Sequence, residues 1–91
     1  MLQTISITVS GKVQGVYYRQ STKEIATSLS ITGEVKNLAD GNVYIVATGK
    51  DEQLKKLVAW CRQGPSKARV TGLTVEELPP QPFGKFSIER F

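Results

Sequence analysis

From Thr4 to Ser10 apolar and polar residues alternate, with Ile5, Ile7 and Val9 on one side and Ser6 and Thr8 on the other. A period of two predicts a half-buried strand, and Gly11 is expected to end it. Gly11-Lys12-Val13-Gln14-Gly15-Val16 then reads as a loop with two glycines. From Tyr18 the period lengthens. Tyr18, Thr22, Ile25, Ala26 and Leu29 fall at helical spacing and leave Lys23, Glu24, Thr27 and Ser28 outward. Ser21-x-x-Glu24 has the form of a capping box, which would start the helix at Thr22. The apolar stripe begins a turn earlier, near Tyr18, and the earlier start is favoured. Gly33 is expected to close this element.

Val35 to Leu38 and Val43 to Thr48 read as two strands joined by a hairpin turn at Ala39-Asp40-Gly41-Asn42, since Asp-Gly readily supplies a positive φ. Asp51 is the candidate N-cap of a second helix, and Leu54, Leu57, Val58 and Cys61 mark its inner face. Gly64-Pro65 stops it. Val70 to Leu78 is strand-like, with a slip near Gly72 that suggests a bulge. Pro79-Pro80-Gln81-Pro82 is a stiff connector, and Phe86 to Phe91 forms a last short strand. The order β-α-β-β-α-β plus a terminal strand predicts an α+β, ferredoxin-like split βαβ sandwich. Both helices would lie on one face of an antiparallel sheet. Nothing divides residues 1–91 into more than one domain.

Composition narrows the chemistry. The 91 residues are enough for one core, burying roughly 60–65% of the unfolded surface. Twelve basic and eight acidic side chains leave a net charge of +4. The halves carry four and three such charges (residues 1–45) and eight and five (residues 46–91), so the excess is spread out. It fits an anionic ligand and is weak support for nucleic acid. The single cysteine, Cys61, excludes an internal disulfide and a multi-thiolate metal site. The absence of histidine removes the commonest metal ligand and the commonest general base. No apolar run approaches the ~20 residues of a membrane span. Met1-Leu2-Gln3-Thr4 does not begin a signal peptide, so a reducing cytoplasmic setting is expected.

The first strand-to-helix junction is the candidate site. Gly11 and Gly15 flank Lys12-Val13-Gln14, and Arg19 follows at the start of the predicted helix. Glycines let backbone N–H groups turn toward one point. A helix N-terminus adds free N–H donors and partial positive charge, and a guanidinium grips two phosphate oxygens. These parts would make an anion cradle, although the same spacing also describes a plain loop with a surface arginine. No Gly-x-x-x-x-Gly-Lys-Ser/Thr nucleotide loop is present.

Gly11-Lys12-Val13-Gln14-Gly15-Val16-Tyr17-Tyr18-Arg19 resembles the signature loop of acylphosphatases, Gly-x-Val-Gln-Gly-Val-x-Phe-Arg. Gly33-Glu34-Val35-Lys36-Asn37, followed by Gly41 and Val43, is similar to that family's second signature, Gly-x-Val-x-Asn. Gly64-Pro65 and Ala68-Arg69-Val70 look like the stretch after its second helix. The resemblance runs from about Ile5 to the C-terminus. It departs at Tyr18, where Phe is usual, and at Glu34, where a large residue is common and an outward position on the strand is expected. It implies hydrolysis of acyl phosphates to carboxylate and inorganic phosphate without a metal or other cofactor. Carried over, Arg19 and the backbone amides of Gln14, Gly15, Val16, Tyr17 and Tyr18 would bind the phosphoryl group. Asn37 would hold the attacking water. Such a substrate has a good leaving group, so positioning and charge balance suffice and no protein base is needed.

The other residues have plainer roles. Cys61 is expected to be a buried small hydrophobe and Trp60 packing; of Tyr17 and Tyr18, one is expected in the core and one on the loop surface. Lys55, Lys56, Arg62, Lys67 and Arg69 form a solvated face. An RNA-binding module of the same fold would set several aromatics on its central strands, whereas Val35, Val43, Ile45 and Ala47 dominate here, with Tyr44 alone. A domain of a larger maturation enzyme is disfavoured by the start at Met1. The expected partner is a small acyl phosphate, with phosphate as product, with no nucleic acid or membrane, and the chain is expected to be a monomer. The terminal carboxylate of Phe91 is a further candidate neighbour of Arg19.

Overall fold

The structure is a computed structural model that describes residues 2–89. Along the chain lie β1 (Gln3–Lys12), α1 (Tyr18–Ser28), β2 (Thr32–Asn37), β3 (Val43–Gly49), α2 (Asp51–Gln63), β4 (Arg69–Leu78) and β5 (Phe86–Ile88). The strands make one sheet in the order β4-β1-β3-β2-β5. β3 pairs antiparallel with both β1 and β2, and β4 antiparallel with β1. This is the ferredoxin-like interleaving expected from the element order. The sheet is mixed rather than antiparallel, however, because β5 runs parallel to β2. The connector after β4 carries the chain from one edge of the sheet to the other and delivers β5 in the same direction as β2.

Register explains the core. Ile7 lies opposite Ile45, which lies opposite Val35, and none of the three is exposed. The neighbouring row is Val9, Val43 and Asn37, so Asn37 stands on the helix-covered face at the rim of the apolar core. Tyr18, Thr22 and Ala26 of α1 and Leu54, Leu57 and Cys61 of α2 close over this face. α1 has 11 residues, too few to persist alone in water, so packing rather than intrinsic propensity holds it. α1 begins at Tyr18, as the apolar stripe indicates, and Ser21 and Glu24 do not form its N-terminus.

The polar side of β1 departs from the half-buried pattern: Thr4 and Ser6 are also buried. The Pro-rich connector accounts for Thr4. The Thr48 hydroxyl donates to the Gln81 carbonyl (3.0 Å), and Thr4 Oγ1 accepts from the Gln81 N–H (3.1 Å). The Thr48 proton being committed, the 2.7 Å contact between the two hydroxyls runs from Thr4 to Thr48. These bonds lash the connector to the middle strands.

Boundaries shift where backbone geometry overrides local pattern. β1 continues past Gly11 to Lys12 across a register break, in which Ser10 faces Gly72 and Gly11 faces Val70. The bulge anticipated near Gly72 is thus Thr71, on β4. Gly33 does not close α1; it lies inside β2 with φ 146°, where a Cβ would run into the Val46 carbonyl. Ser30, at φ 59°, follows the end of α1 instead. Asp51 is the first residue of α2 rather than its cap, which is Lys50. β5 ends at Ile88 rather than running to Phe91, with Glu89 outside it; Arg90 and Phe91 lie outside the described residues.

Thr4→Val keeps the shape and removes the hydroxyl. It should cost about 1–2 kcal/mol, read as a lower urea midpoint with an unchanged slope. The Gln81 amide should also exchange faster with solvent.

Candidate active site

The fold brings three strand ends together. β1 and β2 flank β3 and run parallel to each other, and β5 runs parallel to β2. Their C-terminal ends therefore share one end of the sheet, where α1 begins. A cleft of about 430 Å³ lies there, lined by Val13, Gly15, Tyr17, Tyr18, Arg19, Gln20, Asn37 and Ile88. Arg19 and Asn37, 18 residues apart in sequence, thus face one cavity.

The loop after β1 is anchored by two buried valines, Val13 and Val16, while Gly15 and Tyr17 stand at the exposed rim. Gly15 has φ 74°, and a Cβ there would meet nothing within 4 Å. Glycine is thus required by backbone conformation, not by space. Tyr17 adopts φ 63° without that freedom and is 80% exposed. A bulky residue in this region is an outlier of the kind that collects at ligand sites.

Tyr17 is also the N-cap of α1, and no side chain caps the helix. The Ser21 N–H is bonded to the Tyr17 carbonyl, so the first-turn N–H groups before it have no partner in the helix. No acidic residue lies in this first turn, whereas α2 carries Asp51 and Glu52 in its own. The positive end of α2 is offset by its own carboxylates; that of α1 has none in its first turn. Arg19 is half-buried, and no carboxylate among the described residues pairs with it. The Phe91 carboxylate, considered as its neighbour, lies outside the described residues.

Asn37 approaches from the other side. Its Oδ1 is buried and has no hydrogen-bond partner among the described residues. A buried acceptor left empty costs free energy comparable to a lost hydrogen bond. Gln14 joins the two sides: its Nε2 donates to the carbonyls of Leu38 and Asn42, at 2.9 Å each. Glu34 is on the opposite face of the sheet, in register with Val46, and does not bear on the cleft. Among the described residues no three of His, Cys, Asp and Glu gather into a metal-binding group.

Of the residues picked out by sequence, Gly15, Tyr17, Tyr18, Arg19 and Asn37 line the cleft. Val16 is buried beneath the loop, and the Gln14 side chain points to the turn. Gln20, Ile88 and Val13 line the cleft without having been singled out. Gln20 was legible as the residue after Arg19 in an uncapped helix; Ile88 arrives only through the pairing of β5 with β2.

Comparison with known proteins settles the family. Residues 5–88 match the acylphosphatase family model. The chain is 56% identical over 71 residues to an acylphosphatase of Marinobacter nauticus, covering 78% of this chain and 77% of that one. It is 49% identical over 77 residues to one of Methylococcus capsulatus, covering 85% and 84%. The solved acylphosphatase of Coxiella burnetii superposes with a TM-score of 0.94 at 39% identity, over 97% of this chain and 93% of that one. The chain belongs to the acylphosphatase family. It is accordingly a hydrolase.

One departure from the acylphosphatase signature acquires a role. Tyr18, where Phe is usual, is buried, and its hydroxyl donates to the Cys61 carbonyl at 2.7 Å. Its ring lies 5.4 Å from that of Trp60, at 48°. The residue beside Arg19 is thereby tied to α2. Burial pushes the Tyr18 hydroxyl well above its ordinary value, with the adjacent Cys61 thiol adding to the effect. Burial also pushes the Cys61 thiol from 9.0 up to about 12, held slightly lower by Tyr18. Both groups stay neutral in the fold while the unfolded chain ionises first. The contribution of Cys61 to stability is complete below pH 9 and is lost as pH rises toward 12, and that of Tyr18 begins to fall only above pH 10. The urea midpoint of this acylphosphatase should therefore fall above pH 9, and Cys61 should resist a thiol-specific reagent at pH 8 until the chain is unfolded.

Proposed function

We propose that the cleft hydrolyses the carboxyl-phosphate bond of acyl phosphates. The observation that carries this is the convergence on one cavity of Arg19, the uncapped start of α1 and the Oδ1 of Asn37, which has no partner among the described residues, in a chain of this family. The amides of Gln14 to Tyr18 and the Arg19 guanidinium bind the phosphoryl oxygens. Asn37 holds a water in line with the phosphorus. The water oxygen bonds to phosphorus as the bond to the carboxyl oxygen breaks. The carboxylate leaves with the electron pair, and the water proton passes to a phosphoryl oxygen. Fixed donors that balance charge on the equatorial oxygens act without reorganisation at the moment of reaction.

In this scheme residues 1–91 act as one domain, as a monomer, in the cytoplasm, and with no resident metal or organic cofactor. The lack of histidine and of any gathered acidic set among the described residues fits that chemistry. An RNA-binding role is less well supported. On the open face of the sheet Tyr44 is paired with Lys36, its ring centroid 5.8 Å from the ammonium, and the connector is lashed across the same face at Gln81.

Purified protein should hydrolyse benzoyl phosphate in the presence of a chelator; activity appearing only on metal addition contradicts the scheme. Arg19→Ala should lose inorganic-phosphate binding and turnover together. Asn37→Ala should keep phosphate affinity and lose roughly 10²–10³-fold in kcat. Equal loss of phosphate binding in both variants would refute the division of roles.

A further inference from the structure

We propose that the side chain of Gln14 is a positioning residue that sets the gap between the phosphate loop and Asn37. This rests on the function proposed above. The Nε2 group sends one N–H to the Leu38 carbonyl and the other to the Asn42 carbonyl, both at 2.9 Å. Those carbonyls belong to the two ends of the turn that follows Asn37. The turn is already closed by itself. The Leu38 N–H donates to the Asn42 carbonyl at 2.8 Å, and the Gly41 N–H to the Leu38 carbonyl at 3.2 Å. Asp40 adds two bonds, accepting from the Asn42 N–H (2.9 Å) and from Asn42 Nδ2 (3.2 Å). Gln14 is therefore not needed to satisfy either carbonyl. Its two bonds do something the turn cannot do internally: they fix where the turn, and Asn37 at its base, sits relative to the loop.

The position of Gln14 makes that tie direct. It precedes Gly15, whose φ of 74° turns the loop into the cleft, and it lies between Val13, which is buried, and the rim. Asn37 is only half-buried and its Oδ1 has no partner among the described residues, so none of their side chains holds the amide in place. A hydrolysis that depends on a water lying in line with phosphorus is sensitive to that placement, and a shift of about 1 Å can remove roughly 10²-fold in rate. A carboxamide at position 14 offers two N–H groups to two carbonyls at once. No carboxylate can do this.

The test is a double-mutant cycle on the full chain, with benzoyl phosphate as substrate and inorganic phosphate as competitive inhibitor. Gln14→Ala should lower kcat roughly 10–100-fold, with KM and the phosphate inhibition constant within about threefold of the parent. In the Asn37→Ala background the same change should cost less than about threefold, because no held water remains to misplace. Gln14→Met, which keeps length and loses both donors, should behave as Gln14→Ala does and guards against a fold defect, checked by its urea midpoint. Gln14→Glu should also be slow near neutral pH and recover part of its rate as its carboxyl is protonated, since the acid supplies one O–H donor. Equal fold-losses in both backgrounds, or loss of phosphate affinity in step with kcat, would overturn the positioning role. If the parent fails to hydrolyse benzoyl phosphate, or Asn37→Ala is unimpaired, the proposed function falls and this inference with it; additive losses on an active parent remove this inference alone.

Discussion

The spacing of two strands about a third constrains everything at this site. β1 and β2 both hydrogen-bond to β3 and run in the same direction, so in the row of Val9, Val43 and Asn37 they lie about 9.6 Å apart, twice the inter-strand distance, and β1 runs on past that row to Lys12. One end feeds the loop and the uncapped start of α1; the other bears Asn37. Both border the one cleft that Arg19 and Asn37 line. The apolar row of Ile7, Ile45 and Val35, with none of the three exposed, makes the spacing rigid, since well-packed interiors do not deform continuously. In an α+β sandwich of this size the same core that stabilises the chain therefore also sets the geometry of the site.

Around that frame, small polar contacts convert a rigid sheet into an aligned site. Gln14 ties the loop to the β2–β3 turn, Tyr18 ties the start of α1 to α2 through the Cys61 carbonyl, and Thr4 and Thr48 tie the connector to the sheet. Each bond is worth on the order of 1 kcal/mol to stability. The first two are spent where orientation matters most, beside Arg19 and beside Asn37. The contrast between the helices follows the same logic: α2 neutralises its own N-terminus with Asp51 and Glu52, and α1 does not.

Much of this was legible in the residues. The alternation from Thr4 to Ser10 and the helical stripe from Tyr18 marked the first two elements. The two signature blocks named Arg19 and Asn37, which line one cleft. What was not legible depended on distant partners. The Gln14 side chain finds its acceptors 24 and 28 residues away. Thr4 becomes buried because of Gln81, 77 positions on. Gly33 looked like a helix stop, but its role comes from the close passage of β3 at Val46. The parallel β5, which brings Ile88 to the cleft, follows from where the connector ends rather than from any pattern within Phe86 to Ile88. Local periodicity reports local structure; these features are tertiary.

A crystal structure with inorganic phosphate bound tests the central geometry most directly. The account predicts one tetrahedral ion held by the amides of residues 14–18 and the Arg19 guanidinium, with an ordered water between it and the Asn37 carboxamide. Phosphate seated away from Arg19, or an Asn37 carboxamide turned from the ion with no water between them, would contradict it.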